Sequence, residues 1–151
     1  MSLFRKKKKV IFSSLVMIAM LAMLLPLSVA ADEHGVCGDP FTPIYEIQGD
    51  GEDSPFNGDE GVVTEGIVTV NLQGRSQLSG FFIQDRNGDG DSATSDGLFV
   101  NHRDSWSPSF DPSVGDLVRV QGTIDEQFGL TQMEWLDAGT ICGTGFQPVA
   151  T

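Results

Sequence analysis

Beyond the first thirty residues the apolar positions come in short runs, rich in β-branched and aromatic side chains and separated by Gly, Asp, Asn, Ser and Pro. No stretch repeats them at helical spacing, so the pattern predicts strands. Val62 to Leu72 reads as the first, with Val62, Val68 and Val70 on one face and Gly66 marking a bend or bulge that lets a strand curl. Ser79 to Gln84 and Gly97 to Asn101 read as the second and third. Asp116 to Ile124 is a fourth, with Val118, Val120 and Ile124 inward and Arg119 and Gln121 outward. Thr131 to Cys142 is a fifth, although Trp135, Leu136 and Ile141 do not alternate cleanly.

Five strands with a glycine-kinked first one point to an all-β chain, a small five-stranded Greek-key barrel of the OB-fold type. A five- or six-stranded sandwich has the same periodicity. The acidic, Gly-rich stretch from Asp50 to Glu60 is expected to be an exposed loop. Residues 32–60 then form an extended N-terminal segment, 61–142 the barrel and 143–151 a linker or tail.

The N-terminus has a different character. Arg5 and Lys6 to Lys9 precede an apolar stretch from Val10 to Leu27, followed by the small residues Ser28, Val29, Ala30 and Ala31. That order is the order of a secretion signal, predicted here as residues 1–31. The expected location is secreted or extracellular, with no stable membrane association after cleavage. An uncleaved N-terminal helical anchor is the alternative, because the apolar stretch approaches bilayer length.

Cleavage changes the charge. Five of the nine basic residues lie in the signal, leaving four arginines against 21 Asp and Glu, a formal charge of −17. Such a surface repels phosphate and anionic lipid and favours solubility, cation binding or a salty medium. The two cysteines, Cys37 and Cys142, sit near the two ends of the exported part, where an oxidising compartment favours one disulfide. Two unpaired thiols or a metal pair are the rival readings.

The sharpest local motif runs from Asp85 to Asp96. Oxygen-bearing side chains at Asp85, Asn87, Asp89, Asp91 and Asp96, with Gly90 at the sixth position, have the spacing of a calcium loop in which Asp replaces the final Glu. The flanks are strands, so it is not an EF-hand, and the shorter last carboxylate implies affinity of about 0.1 to 1 mM. A solvated acidic tip without an ion is the plainer reading. With Asp85 opposite Asp96, Phe81 meets Val100 and Ile83 meets Leu98 on one face, while Phe82 meets Phe99 on the other. The second face is either a stacking platform for bases or is covered by Tyr45, Trp106 or the N-terminal segment.

An ordered set of motifs carries a resemblance. Ile44-Tyr45-Glu46-Ile47-Gln48-Gly49-Asp50-Gly51, Val63-Thr64-Glu65-Gly66, Gly80-Phe81-Phe82-Ile83-Gln84-Asp85, Ser95-Asp96-Gly97-Leu98-Phe99-Val100, Val114-Gly115-Asp116-Leu117-Val118-Arg119-Val120-Gln121-Gly122 and Gly129-Leu130-Thr131-Gln132 together resemble the N-terminal barrel of large secreted bacterial nucleases. The likeness covers Pro43 to Cys142, about two thirds of the chain. In that family an OB-fold-like barrel precedes a metal-dependent catalytic domain of the endonuclease/exonuclease/phosphatase type.

The resemblance implies a non-catalytic module that weakly holds single-stranded DNA or RNA, with a nuclease catalytic domain encoded downstream as a partner. The residues expected to carry this are Phe82, Phe99 and Phe128 by stacking and Arg75 and Arg103 at the edge. Autonomous catalysis is not expected, because no carboxylate spacing of a nuclease motif surrounds His34 or His102. The alternative function is a calcium-stabilised structural or protein-docking module that binds no nucleic acid, which the negative charge favours.

Overall fold

The computed structural model describes residues 34–74, 76–102 and 110–148. The predicted signal, Arg75, Arg103 and Trp106 lie outside the described residues. Five strands, β1 (Val62–Leu72), β2 (Gly80–Gln84), β3 (Gly97–Asn101), β4 (Leu117–Gln127) and β5 (Leu130–Gly143), close into a barrel in the order β1-β2-β3-β5-β4. Every adjacent pair is antiparallel except β3 and β5, which meet in parallel through Phe99 with Gln132 and Val100 with Met133. Closure removes most of the exposed sheet edge that a five-stranded sheet would otherwise present. Among the described residues no helix is long and apolar enough to cross a membrane.

The long first strand is shared between two neighbours. Val62 to Ile67 pairs with β4, Ile67 to Leu72 pairs with β2, and Ile67 makes the handover. Gly66 stands just before it, where an added Cβ would lie 3.0 Å from Gln84 O and 3.1 Å from Ile44 Cδ1, so a side chain there would press on the neighbouring strand and on the residues that follow Pro43. The register irregularity itself falls between Val68 and Val70. That slip corrects the expected alternation. Val62 and Val68 are buried, but Val70 turns outward and is 42 % exposed, because one extra residue moves a side chain to the other face.

The core fills with Phe81, Ile83, Leu98 and Val100 from the hairpin and Val118, Val120, Ile124, Met133 and Leu136 from β4 and β5. Two further members are not from strands. Ile44 and Ile47 are fully buried and come from a one-turn helix, α1 (Ile44–Gln48), packed against β1 and β3. A single turn shows only one i, i+3 apolar pair, too little periodicity to announce a helix in sequence. The uneven pattern of β5 also has a cause. Register shifts opposite Gly122 bury Leu136 while leaving Trp135 and Ile141 about half exposed.

Arg119 faces outward on β4, as expected, yet is only 2 % exposed, because the N-terminal segment covers it. Its guanidinium donates to the carbonyls of His34 (2.6 Å), Asp39 (3.0 Å) and Pro40 (3.0 Å) and to Glu65 Oε1 (2.8 Å). Cys37 and Cys142 form a disulfide beside this clamp and tie the same segment to the end of β5. The acidic stretch before β1 is also less free than expected. Its tip is exposed, but Ser54 is buried, Phe56 packs on the core, and Gly58 and Asp59 exchange backbone hydrogen bonds with Ile124. After β5 the chain turns back, with Phe146 N donating to Gly115 O at 2.9 Å.

Candidate functional site

The hairpin of β2 and β3 has the register read from the sequence: Phe81 opposite Val100, Phe82 opposite Phe99 and Ile83 opposite Leu98, with Asp85 N donating to Asp96 O at the neck. Phe81, Ile83, Leu98 and Val100 are buried inside the barrel. The outer pair is asymmetric. Phe82 is half-buried, whereas Phe99 is 6 % exposed, and their ring centroids lie 4.9 Å apart at a tilt of 47°. Gly80 makes room for the buried ring, since a Cβ there would lie 2.5 Å from Phe99 Cζ. Phe99 therefore supports Phe82 from behind, and Phe82 is the ring that solvent reaches.

A cleft of about 400 Å³ opens over this pair. The end of α1 and the segment after it, from Gln48 to Glu52, form one wall, and Gly129 with the start of β5, Leu130 and Thr131, forms the other. The turn into β5 presents Phe128 fully exposed, with a positive φ of 56° that a bulky residue seldom adopts. Phe82 and Phe99 line the cleft, and Phe128 precedes its Gly129 wall by one residue. The two arginines expected at its edge, Arg75 and Arg103, lie outside the described residues. Of the described arginines, Arg119 is buried in its clamp, and Arg86 sits over the Phe146 ring, 5.2 Å from its centroid.

The loop from Asp85 to Asp96 is organised by its own amides. Asp85 is buried; its Oδ1 accepts from Asn87 N and Gly88 N, and its Oδ2 accepts from Ile44 N at 3.3 Å, joining the hairpin to the start of α1. Asp89 accepts from Asp91 N (2.8 Å) and the Thr94 hydroxyl (2.8 Å), which hold its carboxyl below the usual range. Asp91 accepts from Ala93 N. Asp96 differs: burial, then the charges of Asp89 and Asp85, push its carboxyl up, and its Oδ1 is buried with no hydrogen-bond partner. Among the described residues no three His, Cys, Asp or Glu side chains are gathered as a group able to hold a metal ion. A cation would have to draw Asp89, Asp91 and Asp96 together from these local bonds.

The histidines are placed apart from this face. His34 shares a hydrogen bond with the Thr140 hydroxyl (3.0 Å), and His102 shares one with the Gln73 amide (2.7 Å). No family model, curated protein or solved structure matches the chain. What this side of the barrel can do follows from its surfaces alone. It offers a supported aromatic ring, a second exposed ring on a turn, and walls with acidic and hydroxyl groups, which suits adhesion to flat, weakly polar faces and opposes phosphate.

Sequence reading did not find the Arg119–Glu65 pair or the bond from Asp85 to α1. Both join residues far apart in the chain, by 54 and 41 positions. The sequence signal for the first was an arginine between two core valines of β4.

Proposed function

We propose that this chain is a non-catalytic, exported OB-type barrel that weakly holds single-stranded nucleic acid by stacking bases on Phe82 and Phe128. The observation that carries the reading is the half-exposed Phe82 ring, backed by Phe99 at 4.9 Å, in a cleft bordered by the turn that presents Phe128. The strand order, with its one parallel contact between β3 and β5, supports the OB comparison. In such barrels the face of the second and third strands and the loop before the fifth receive single strands. The resemblance to the front barrel of secreted nucleases supplies the ligand class and the expectation of a catalytic partner.

With 21 acidic residues in the chain, phosphate contacts contribute little, so affinity comes from the bases and stays at or above about 1 µM. Fluorescence anisotropy of a labelled oligothymidine tests this. Phe82→Ala is expected to weaken binding by about 1 to 3 kcal/mol, and the salt dependence is expected to be shallow. Identical curves for wild type and Phe82→Ala would reject the reading.

A second reading has its own observation. Asp96 Oδ1 is buried without a partner beside Asp85 and Asp89, an arrangement that calcium or another hard cation would relieve. In this reading the loop from Asp85 to Asp96 is a stabilising ion site and the barrel a structural or docking module.

A further inference from the structure

A second groove, of about 520 Å³, lies where β1 begins, beside the two segments that lead up to it. Pro40, Phe41 and Thr42 line it from the first segment and Phe56, Asp59 and Glu60 from the second. Both segments are fixed to the barrel. Thr42 N donates to Val63 O (2.8 Å) and Pro40 O accepts from Arg119 (3.0 Å). On the other side Gly58 N donates to Ile124 O (2.8 Å) and Asp59 O accepts from Ile124 N (3.0 Å). The groove is therefore preformed, and a ligand need not order it.

Its lining joins rings to carboxylates. Phe41 is 40 % exposed although its segment is clamped, and Phe56 is half-buried against the core. Asp59 and Glu60 are exposed. The guanidinium that holds Pro40 does not offset them, because Arg119 is buried and its charge is matched by Glu65.

We propose that this groove binds a small organic cation of the quaternary ammonium class, with its methyl groups against Phe41 and Phe56 and its charge towards Asp59 and Glu60. Ring faces attract a cation, most effectively one that gives up its water easily. A quaternary nitrogen has no N–H, so carboxylates acting from a short distance suffice for it, whereas a primary ammonium brings three donors that need acceptors in contact. A phosphate next to the ammonium would meet Asp59 and Glu60 with like charge, so the free cation is favoured over a phospholipid headgroup. The volume falls within the range of about 300 to 1,000 Å³ that small organic ligands occupy.

The groove shares no lining residue with the Phe82 cleft, so this site and the nucleic-acid reading stand or fall separately. The test is an NMR titration of the purified protein with choline, following its amide resonances. Choline is expected to bind with a Kd of about 0.1 to 10 mM, shifting the amides of residues 41, 42 and 56–60. The neutral carbon isostere, with a tert-butyl group in place of trimethylammonium, should bind about fivefold more weakly or worse, and phosphocholine more weakly than choline. Phe41→Leu, which keeps an apolar side chain and removes the ring, is expected to weaken choline by about threefold or more. Asp59→Asn with Glu60→Gln, a change on exposed positions, should weaken it by about two- to fivefold and flatten its salt dependence. Phe82→Ala leaves choline binding unchanged. No shift up to about 50 mM choline, equal affinity for choline and its neutral isostere, equal affinity in wild type and Phe41→Leu, or tighter binding of phosphocholine each overturns the proposal, whatever oligothymidine does.

Discussion

The barrel handles carboxylates in two opposite ways. Where β1 meets β4, Glu65 lies under the N-terminal segment and is paired with Arg119, which also donates to three backbone carbonyls; Glu65 in turn accepts from Gly38 N at 3.0 Å. At the β2–β3 loop, Asp89 and Asp91 take hydrogen bonds from groups two to five residues away, and no cationic side chain joins them in those bonds. The first arrangement crosses 27 to 85 positions of sequence and holds separate elements together. The second only shapes its own loop. Long-range pairing of buried charge is therefore where the fold is vulnerable, and local pairing is where a change leaves the rest of the barrel in place.

Breaking the clamp is expected to have the larger effect. Arg119→Met leaves Glu65 buried without its counter-charge and three carbonyls without their donor, which should cost about 3 to 5 kcal/mol of unfolding free energy in urea titrations. Arg119→Met combined with Glu65→Leu should recover much of the loss, since an apolar pair can replace a buried ion pair. A loss under about 1 kcal/mol for the single variant would mean that the N-terminal segment is held by other contacts.

The disulfide comes next. Cys37→Ser with Cys142→Ser is expected to lower stability by about 2 to 4 kcal/mol, because a link across 105 positions restricts the unfolded chain. Arg119 still holds residues 34 to 40 in that variant, so its far-ultraviolet circular dichroism should match wild type below the melting transition. Unchanged melting after reduction would show that the covalent link is redundant with the clamp.

The same contrast explains what was legible in the sequence. The β2–β3 hairpin could be read to the residue, since its strands are adjacent, the loop fixes their pairing and period-two alternation fixes their faces. The first strand was placed with its bounds, but the face of Val70 was not, because a bulge is a tertiary accommodation with no local signature. Ile44 and Ile47 were missed as core members for a related reason: a five-residue helix closes the barrel only once the barrel exists. Arg119 was placed on the outward face correctly, yet its burial depends on a segment 80 residues earlier lying over it. Of the face proposed to bind, Phe82 and Phe99 were legible as a pair. Their inequality was not, since it depends on Gly80 and on the walls around the cleft.

The smallest effect concerns the acidic loop and separates the two readings of it. A ligand that binds only the folded state stabilises it by RT ln(1 + [L]/Kd), so calcium at ten times its Kd should add about 1.4 kcal/mol. With an expected Kd of about 0.1 to 1 mM, that point is reached by about 10 mM calcium. For a domain of this size the melting temperature should rise by roughly 5 °C. Asp89→Ala with Asp91→Ala removes the carboxylates that flank Asp96 in the loop and should abolish the rise. Magnesium is the discriminating control, because it demands near-ideal octahedral geometry and yields its waters reluctantly, so a calcium site on a loop should respond far less to it. Equal shifts with both ions, retained in the double variant, would mean that divalent cations merely screen the acidic surface. A shift specific to calcium and lost in the variant would place the ion in the loop, with Asp96 Oδ1 acquiring the partner it otherwise lacks.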